Sequence, residues 1–243
     1  MRIALGIEYD GTNYHGWQRQ LNLVTLQEKV EEALSRIAAE KVTIACAGRT
    51  DAGVHAFGQV VHFDTKAERS DQAWILGTNS NLPTDIRILW ARHMSQDFHA
   101  RYSATSRCYR YIIYNNKVAS ALLRHRTMWC PYKLNEKLMR EAGRYLLGEH
   151  DFSSFRGSGC QSRSVMRNVT LLEVTRGGAA INIDIQANAF LLHMVRNIVG
   201  VLLKIGIGEH PPFWVKEVLD ARNRTSAAVT VPAAGLYLVK VEY

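Results

Sequence analysis

Large apolar side chains stand at every second position from Ile3 to Tyr9, and the positions between them are small or polar. A period of two places these side chains on one face of a β-strand. Asp10 and Gly11 follow directly and form a turn signal that ends the strand. The chain is therefore predicted to begin with a strand.

A helical period comes next, because apolar residues recur at three- and four-residue spacing from Leu26 to Ile37. Thr25 and Glu28 have the spacing of a capping box, in which both side chains accept hydrogen bonds from the first turn. We predict an amphipathic helix that begins at Leu26 with the Thr25 side chain as its cap.

The rest of the chain continues this mixture of strands and helices. A helix at residues 71–81 is stopped by Pro83, another at residues 134–147 is closed by Gly148, and Gly177-Gly178 predicts a hairpin turn. The other predicted strands lie at residues 42–46, 58–64, 86–94, 107–115, 169–176, 179–186, 228–231 and 236–242, and the other helices at residues 188–204 and after Pro211-Pro212.

This order of elements predicts an α+β fold. Strands follow one another directly in places, and no G-x-G-x-x-G segment joins a strand to a helix as in a doubly wound fold. No low-complexity linker interrupts the chain. We place an N-terminal half at residues 1–105 and a C-terminal half at residues 106–243.

The composition favours an anionic partner. The net charge is +8, and 21 of the 30 basic residues are arginines. Arginine suits bidentate contacts to phosphate and stacking on bases better than lysine does. The charge balance therefore points toward nucleic acid.

Two stretches without a single acidic residue, 99–126 and 152–172, concentrate this charge. Tyrosines are interleaved with the basic residues of the first stretch. A solvated basic face is the ordinary explanation of one such run, but two runs with aromatic residues indicate RNA. Arg101, Arg107 and Arg163 are our candidate phosphate contacts.

The four cysteines form no C-x-x-C pair and no histidine stands at metal-ligand spacing, so we expect neither a zinc site nor a disulfide framework. For His55 we expect a hydrogen-bonding role in a loop, and for His62 a place on a strand face. The chain starts on a strand pattern, and its most apolar helix is short and interrupted by Arg196. We therefore expect no leader peptide, no membrane span and a cytoplasmic location.

Residues 48–56, GRTDAGVHA, connect two predicted strands and carry the pair Arg49 and Asp51 between Gly48 and Gly53. An Asp two residues before a Gly is most often an ordinary turn residue. Loops on rigid strands are, however, where catalytic groups are commonly carried. From the residues alone, the turn interpretation is still favoured.

This loop closely resembles the catalytic motif of the TruA-type tRNA pseudouridine synthases, and five further blocks match that family in its order along nearly the whole chain. The blocks are Tyr9-Asp10-Gly11-Thr12 with Gly16-Trp17-Gln18, Phe98-His99-Ala100-Arg101 with Tyr109-Arg110-Tyr111, His150-Asp151-Phe152, the helix containing Met194-Val195-Arg196, and Gly235-Leu236-Tyr237-Leu238. Six blocks in order are a specific signal.

The resemblance implies a role for individual residues. Asp51 is implied as the nucleophile, Arg196 as the cation that keeps it ionised, and Arg49 as a contact to the flipped nucleotide. Tyr109 is implied either to stack on the extruded uracil or to act as a base, with Leu236 on the other side of the uracil. Without the family, Tyr109 and Leu236 are ordinary half-buried strand residues.

The resemblance also implies two α+β halves that share a central antiparallel sheet, with the active cleft between them. It implies a homodimer that acts on tRNA at positions 38, 39 and 40 of the anticodon stem-loop, after base flipping. The reaction breaks a glycosidic bond and rejoins the uracil through carbon, with no redox step, so no cofactor is expected.

Three other classes of protein compete with this assignment. An RNA-binding module without catalysis fits the basic composition but would not need Asp51. A zinc deaminase would carry H-x-E and P-C-x-x-C, and neither occurs. A methyltransferase would have a glycine-rich loop after the first strand, where this chain has Asp10-Gly11-Thr12.

Overall fold

The computed structural model describes residues 1–243 and has the predicted α+β fold. The strands are β1 (Arg2–Tyr9), β2 (Ala45–Cys46), β3 (His55–Asp64), β4 (Ile86–Met94), β5 (Ser106–Asn115), β6 (Met128–Cys130), β7 (Gly148–Asp151), β8 (Met166–Gly177), β9 (Ala180–Ala187) and β10 (Leu236–Glu242). The helices are α1 (Leu26–Ala38), α2 (Asp71–Asn81), α3 (Glu136–Gly143), α4 (Met194–Ile207) and α5 (Trp214–Ala221). None of these helices combines the length and the apolar character that crossing a membrane requires.

The chain divides into two compact units. The first comprises Met1–Thr105 together with Tyr237–Tyr243, and the second comprises Ser106–Leu236. The last seven residues thus belong with the beginning of the chain.

The first unit is built on β1, which pairs antiparallel with β3 on one side and with β4 on the other. β2 extends this sheet antiparallel to β3, and β10 joins β3 through a short parallel pairing of Tyr237 with His55. The apolar face of α1 is fully buried at Leu26, Val30 and Leu34. The unit is therefore a sheet backed by two helices, with the loop before β3 at its edge.

Helix α1 begins at Leu26 as predicted, but the predicted capping box does not form. The Thr25 side chain makes no cap hydrogen bond, and its buried hydroxyl has no partner. The backbone N–H groups of Leu26 and Gln27 instead donate to the carbonyl oxygens of Gly16 and Trp17, at 3.2 Å and 3.0 Å. A neighbouring loop has taken the place of the side-chain cap.

The strand predicted at residues 42–46 is also shorter than expected, since only Ala45–Cys46 pairs with β3. Side chains of α1 bind the backbone that directly precedes β2. The N–H of Val42 donates to the Ser35 hydroxyl, and the N–H of Ile44 donates to the Glu31 carboxylate. Those hydrogen bonds replace the missing strand ladder.

The second unit has the strand order β5, β9, β8, β7, with all three pairings antiparallel. β6 adds a short parallel pairing to β5, so the sheet is mixed and not purely antiparallel as predicted. The predicted hairpin is present between β8 and β9, with Gly178 at φ +59° in the turn.

Two helices of the second unit differ from their predicted bounds. α3 begins later, at Glu136, because the Asn135 side chain caps it, and it passes into a short 3₁₀ turn at Arg144–Leu146. α4 begins at Met194 and not at residue 188, because His193 at its N-terminus has φ +59°. Gly208, at φ +91°, ends α4.

The strand predicted at residues 228–231 does not form. This segment instead packs against α4: the Thr230 hydroxyl donates to Asn197 and the carbonyl of Val231 accepts from Arg196. Val231 is buried in this arrangement, whereas the side chain of Val229 is 82% exposed.

Candidate active site

The loop of residues 47–54 joins β2 to β3 and carries Arg49 and Asp51. Its beginning is held by β3. The N–H of Ala47 donates to the carbonyl of Val60 at 2.8 Å, and the buried amide of Gln59 donates to the carbonyl of Gly48 at 2.6 Å.

Thr50, directly before Asp51, is fixed on both its side chain and its backbone. Its hydroxyl is 2.8 Å from the Tyr9 hydroxyl, and its carbonyl accepts from the N–H of Trp17 at 2.9 Å. Gly16 approaches closely at φ +86°, where an added Cβ would lie 2.8 Å from the Thr50 oxygen. The block that contains Gly16 and Trp17 thus supports the loop.

Asp51 itself is half-buried. Its carbonyl oxygen accepts a hydrogen bond from the N–H of Val54 at 3.2 Å, and Gly53 has φ +76°. The predicted turn is therefore real, and it is closed by the backbone of Asp51.

Arg49 is exposed, and its guanidinium has no hydrogen-bond or ion-pair partner in the structure. The nearby thiol of Cys46 does not compete as a nucleophile. Burial raises the pKa of Cys46 to about 11, and the charge of Arg49 only partly opposes this rise. The thiol therefore stays protonated at neutral pH.

His55 is the first residue of β3 and not a loop residue as predicted, but its predicted hydrogen-bonding role is confirmed. Its Nδ1 lies 3.1 Å from the N–H of Gly11 and 3.0 Å from the Asp10 carboxylate. Its ring stacks on Tyr237 with 4.7 Å between centroids. His55 thus ties the end of β1 to the end of the candidate loop.

In the second unit, Tyr109 lies on β5 with only 8% of its surface exposed, and the ring of Phe190 packs edge-on against it at 5.0 Å. Tyr111, on the same strand face, donates its hydroxyl to the carbonyl of Pro232 at 2.8 Å. Burial raises the pKa of Tyr111 far above its usual value, although the charge of Arg196 opposes the rise. Tyr111 is therefore a permanent hydrogen-bond donor.

Arg196 lies in the first turn of α4, and its Nε donates to the carbonyl of Val231 at 2.8 Å. The adjacent Asn197 is fully buried and donates to the carbonyl of Phe155 at 2.8 Å. Its side-chain oxygen accepts from Thr230 at 2.6 Å and from Arg224 at 3.1 Å. Consecutive residues of α4 therefore hold the segment that ends at Val231.

Leu236 follows this segment and is 6% exposed. It is positioned by Gly235, where an added Cβ would lie 2.7 Å from the carbonyl of Ile112 and 2.9 Å from the ring of Tyr111. The structure thus brings Arg196 and Leu236 to the strand that carries Tyr109, and the loop before β3 carries both Arg49 and Asp51.

The three candidate phosphate contacts differ in their surroundings. Arg101 and Arg163 are exposed, and the guanidinium of Arg101 lies 5.6 Å from the ring centre of Tyr102. Arg107 is only 9% exposed and donates to the carbonyl of Asn188 at 2.9 Å. A direct phosphate contact is therefore better supported for Arg101 and Arg163 than for Arg107.

Other arginines of the two basic stretches have structural partners. Arg110 forms a bidentate ion pair with Asp184, with donor–acceptor distances of 2.8 Å and 3.0 Å. Arg167 is buried and donates to the Ser162 hydroxyl at 2.7 Å, and burial lowers its pKa. Arginine content alone therefore overstates the positive surface.

Sequence reasoning missed Gln59, Thr50 and Asn197 as residues that shape the site. Gln59 and Asn197 are fully buried polar side chains within apolar segments. An amide inside an apolar run was the signal, since a buried amide needs partners that the local pattern does not supply.

No group of three or more His, Cys, Asp or Glu side chains in the structure could hold a metal ion.

Comparison with known protein families gives one match along most of the chain. The sequence model of the tRNA pseudouridine synthase family matches residues 6–103 and 142–243. The chain therefore belongs to the tRNA pseudouridine synthase family, and it is an isomerase that forms pseudouridine in tRNA.

Individual relatives extend this match to the whole chain. Proteins named tRNA pseudouridine synthase A are 56% identical in Colwellia psychrerythraea, 58% in Coxiella burnetii and 55% in Klebsiella pneumoniae. Each alignment covers 100% of this chain and 94%, 93% and 90% of the relative, respectively. These alignments include residues 104–141, which carry Tyr109 and Arg107 and lie outside the family match.

Proposed function

We propose that this enzyme converts uridine to pseudouridine at positions 38, 39 and 40 of the tRNA anticodon stem-loop, with Asp51 as the nucleophile. The main support is the geometry of the loop. Its backbone is held by Gln59 and Trp17 and its Thr50 side chain by Tyr9, and Arg49 has a guanidinium without a partner. A firmly held loop that carries a carboxylate and an exposed cation suits a site for an anionic substrate.

The target uridine is stacked in RNA, so we propose that it is flipped out before it reacts. Flipping costs a few kcal/mol, which contacts to the extruded nucleotide must offset. The exposed guanidinium of Arg49 can take up a phosphate of that nucleotide through charge-assisted hydrogen bonds. Tyr109 and Leu236 are the proposed contacts to the two faces of the uracil.

In the proposed reaction the Asp51 carboxylate forms a covalent bond to the sugar or to the base. The glycosidic C–N bond breaks, the uracil rotates, and a C–C bond forms between the base and the sugar. The base carbon then loses its proton, the ring nitrogen gains one, and the carboxylate is released. The reaction is an isomerisation and consumes no other reactant.

Two roles remain open for Tyr109 in this scheme. Its ring can stack on the flipped uracil, or its hydroxyl can take part in moving the proton from the base carbon. Its nearly complete burial and the edge-on contact from Phe190 hold the ring in one orientation, which serves either role.

Arg196 is the proposed cation that keeps the nucleophile ionised. The hydrogen bond from its Nε to the carbonyl of Val231 holds the guanidinium in place. A nearby guanidinium favours the charged form of a carboxylate and lowers its pKa. We also propose, on the resemblance alone, that the enzyme is a homodimer in the cytoplasm.

The test compares wild type with Asp51→Asn on unmodified tRNA transcripts, followed by site-resolved mapping of pseudouridine. Wild type should modify only positions 38, 39 and 40, and the variant should form no pseudouridine while its tRNA affinity stays within about three-fold, because binding rests mainly on basic side chains. Asp220→Asn, which removes an exposed carboxylate from α5, should react at the wild-type rate. Turnover by Asp51→Asn near the wild-type rate would refute the assigned nucleophile, and modification elsewhere in the tRNA would refute the assigned positions.

A further inference from the structure

A group of cations that neither basic stretch includes lies on α3 and the 3₁₀ turn that follows it. Lys137, Arg140 and Arg144 are spaced at i, i+3 and i+7, so they share one face, and all three are exposed. Together with Tyr145 and Glu141 they line an open groove of about 640 Å³. We call Lys137, Arg140, Arg144 and Tyr145 the α3 surface.

Two of these charges are not used inside the fold. The side chains of Lys137 and Arg144 have no hydrogen-bond or ion-pair partner, although Glu141 lies one turn from Lys137. Glu141 is the only carboxylate in the groove, so three cations face one anion. The residues that line the groove therefore carry a net positive charge.

Arg140 is held in place. Its Nε and Nη2 both donate to the carbonyl of Val174, at 2.9 Å and 2.7 Å. Its Nη1 has no partner within the protein. A guanidinium that is fixed on one edge loses little entropy when its other edge binds a ligand.

An exposed aromatic pair borders the cations. Tyr145 meets Phe213 edge-on, with 5.7 Å between the ring centroids, and the two residues are 36% and 51% exposed. Cations next to exposed rings are typical of surfaces that bind the RNA backbone and stack on sugars or bases.

We propose that the α3 surface is a second contact with the tRNA substrate, in which Lys137, Arg140 and Arg144 bind backbone phosphates. The inference rests on the proposed function insofar as it takes tRNA as the ligand. A tRNA is far larger than one reacting nucleotide, so its binding has room for phosphate contacts away from the chemistry. Such contacts add affinity and register without reading the sequence.

The test measures binding of an unmodified tRNA transcript across a salt series for Lys137→Gln combined with Arg144→Gln. Each phosphate contact contributes about 0.7 to 0.9 to the log–log slope, so losing two should flatten it by about 1.4 to 1.8. At about 0.1 M salt the Kd should rise roughly three- to ten-fold, with kcat unchanged. The matched control, Lys204→Gln with Lys216→Gln, removes the same charge from two lysines that are paired with carboxylates.

A slope equal to that of the control would overturn the proposal. So would a change in oligomeric mass by sedimentation equilibrium in the double variant, because the surface would then bind a second copy of the chain. Wild-type enzyme that fails to modify positions 38 to 40 would refute the proposed function, yet the salt slopes would still decide the α3 surface.

Discussion

His62 shows how the surroundings decide the chemistry of a side chain. It lies on β3, is 6% exposed, and its Nδ1 accepts a hydrogen bond from the N–H of Ala100 at 3.1 Å. Burial, together with the charges of His99 and Arg2, lowers the pKa of His62 to about 4. His62 is therefore neutral at physiological pH and acts as a hydrogen-bond acceptor.

This shift predicts a pH-dependent stability. The unfolded state has a His pKa near 6.5 and takes up the proton first, so stability should fall as the pH drops from about 6.5 to about 4. The contribution of His62 over that window is up to about 3 kcal/mol. In His62→Asn, whose amide oxygen can replace Nδ1 as acceptor, the loss between pH 7 and pH 4.5 should be smaller by an amount of this order.

Urea unfolding at a series of pH values measures this difference. The half-exposed His93, replaced by Asn, is the control and should leave the pH dependence unchanged. Identical pH dependence in His62→Asn and wild type would show that His62 is not the titrating group.

The surroundings also decide what the charge of an arginine does. Arg110 is neutralised by Asp184, which lies 74 residues further along the chain, whereas Arg49 has no partner at all. Both look alike in the sequence. Only the partner decides whether a cation stabilises the fold or remains available for a ligand.

Among the elements of the second unit, helix α4 holds the segment that leads to Leu236. Its Arg196 and Asn197 bind two consecutive parts of the segment that leads to Leu236, through the carbonyl of Val231 and the hydroxyl of Thr230. Asn197 also holds the turn at Phe155. A single buried amide thus connects three segments of the second unit.

Asn197→Ala should therefore lower both stability and turnover. It leaves the carbonyl of Phe155 without its donor and the hydroxyl of Thr230 without its acceptor, at a cost of about 2 to 4 kcal/mol. Because the segment that anchors the Arg196 side chain loosens, kcat should fall by at least about ten-fold at a temperature where the variant is folded. Thermal unfolding and single-turnover assays measure the two effects.

The control for this prediction is Asn79→Ala. Asn79 makes a comparable pair of bonds, to the backbone carbonyl and N–H of Ile88 in the first unit. It should lose stability but keep kcat. If both variants slow turnover equally, Asn197 acts through stability alone and not by positioning Arg196.

For the whole molecule, the net charge of +8 does not tell how many basic side chains can contact a ligand. The structure shows that some of them are bound within the protein. Arg110, Arg156 and Arg167 serve internal hydrogen bonds. Arg101 and Arg163 remain exposed on the two stretches identified from the sequence. The electrostatic contribution to tRNA binding should come from such exposed cations.

Neutralising Arg101 or Arg163 to Gln should each flatten the salt dependence of tRNA binding by about 0.7 to 0.9 in log–log slope. Filter binding over a range of salt concentrations provides the measurement. Lys29→Gln, on a lysine paired with Glu32, should leave the slope unchanged. A wild-type slope in both arginine variants would remove these two residues from the interface.

The sequence by itself determined the elements whose signals are local. The bounds predicted for α2, β4 and β10 agree with the structure, because a clear period and a clear stop such as Pro83 depend only on neighbouring residues. The candidate loop with Arg49 and Asp51 was also evident, because its glycines and charges are contiguous.

The tertiary structure decided what depends on residues far apart in the chain. The backbone of Gly16 and Trp17 took over the cap expected from Thr25, and α4 took up the segment expected to form a strand at residues 228–231. The final strand returned to β3 across more than 170 residues. Each backbone N–H, carbonyl and charge accepts whichever partner the fold brings near, and sequence spacing does not contain that information.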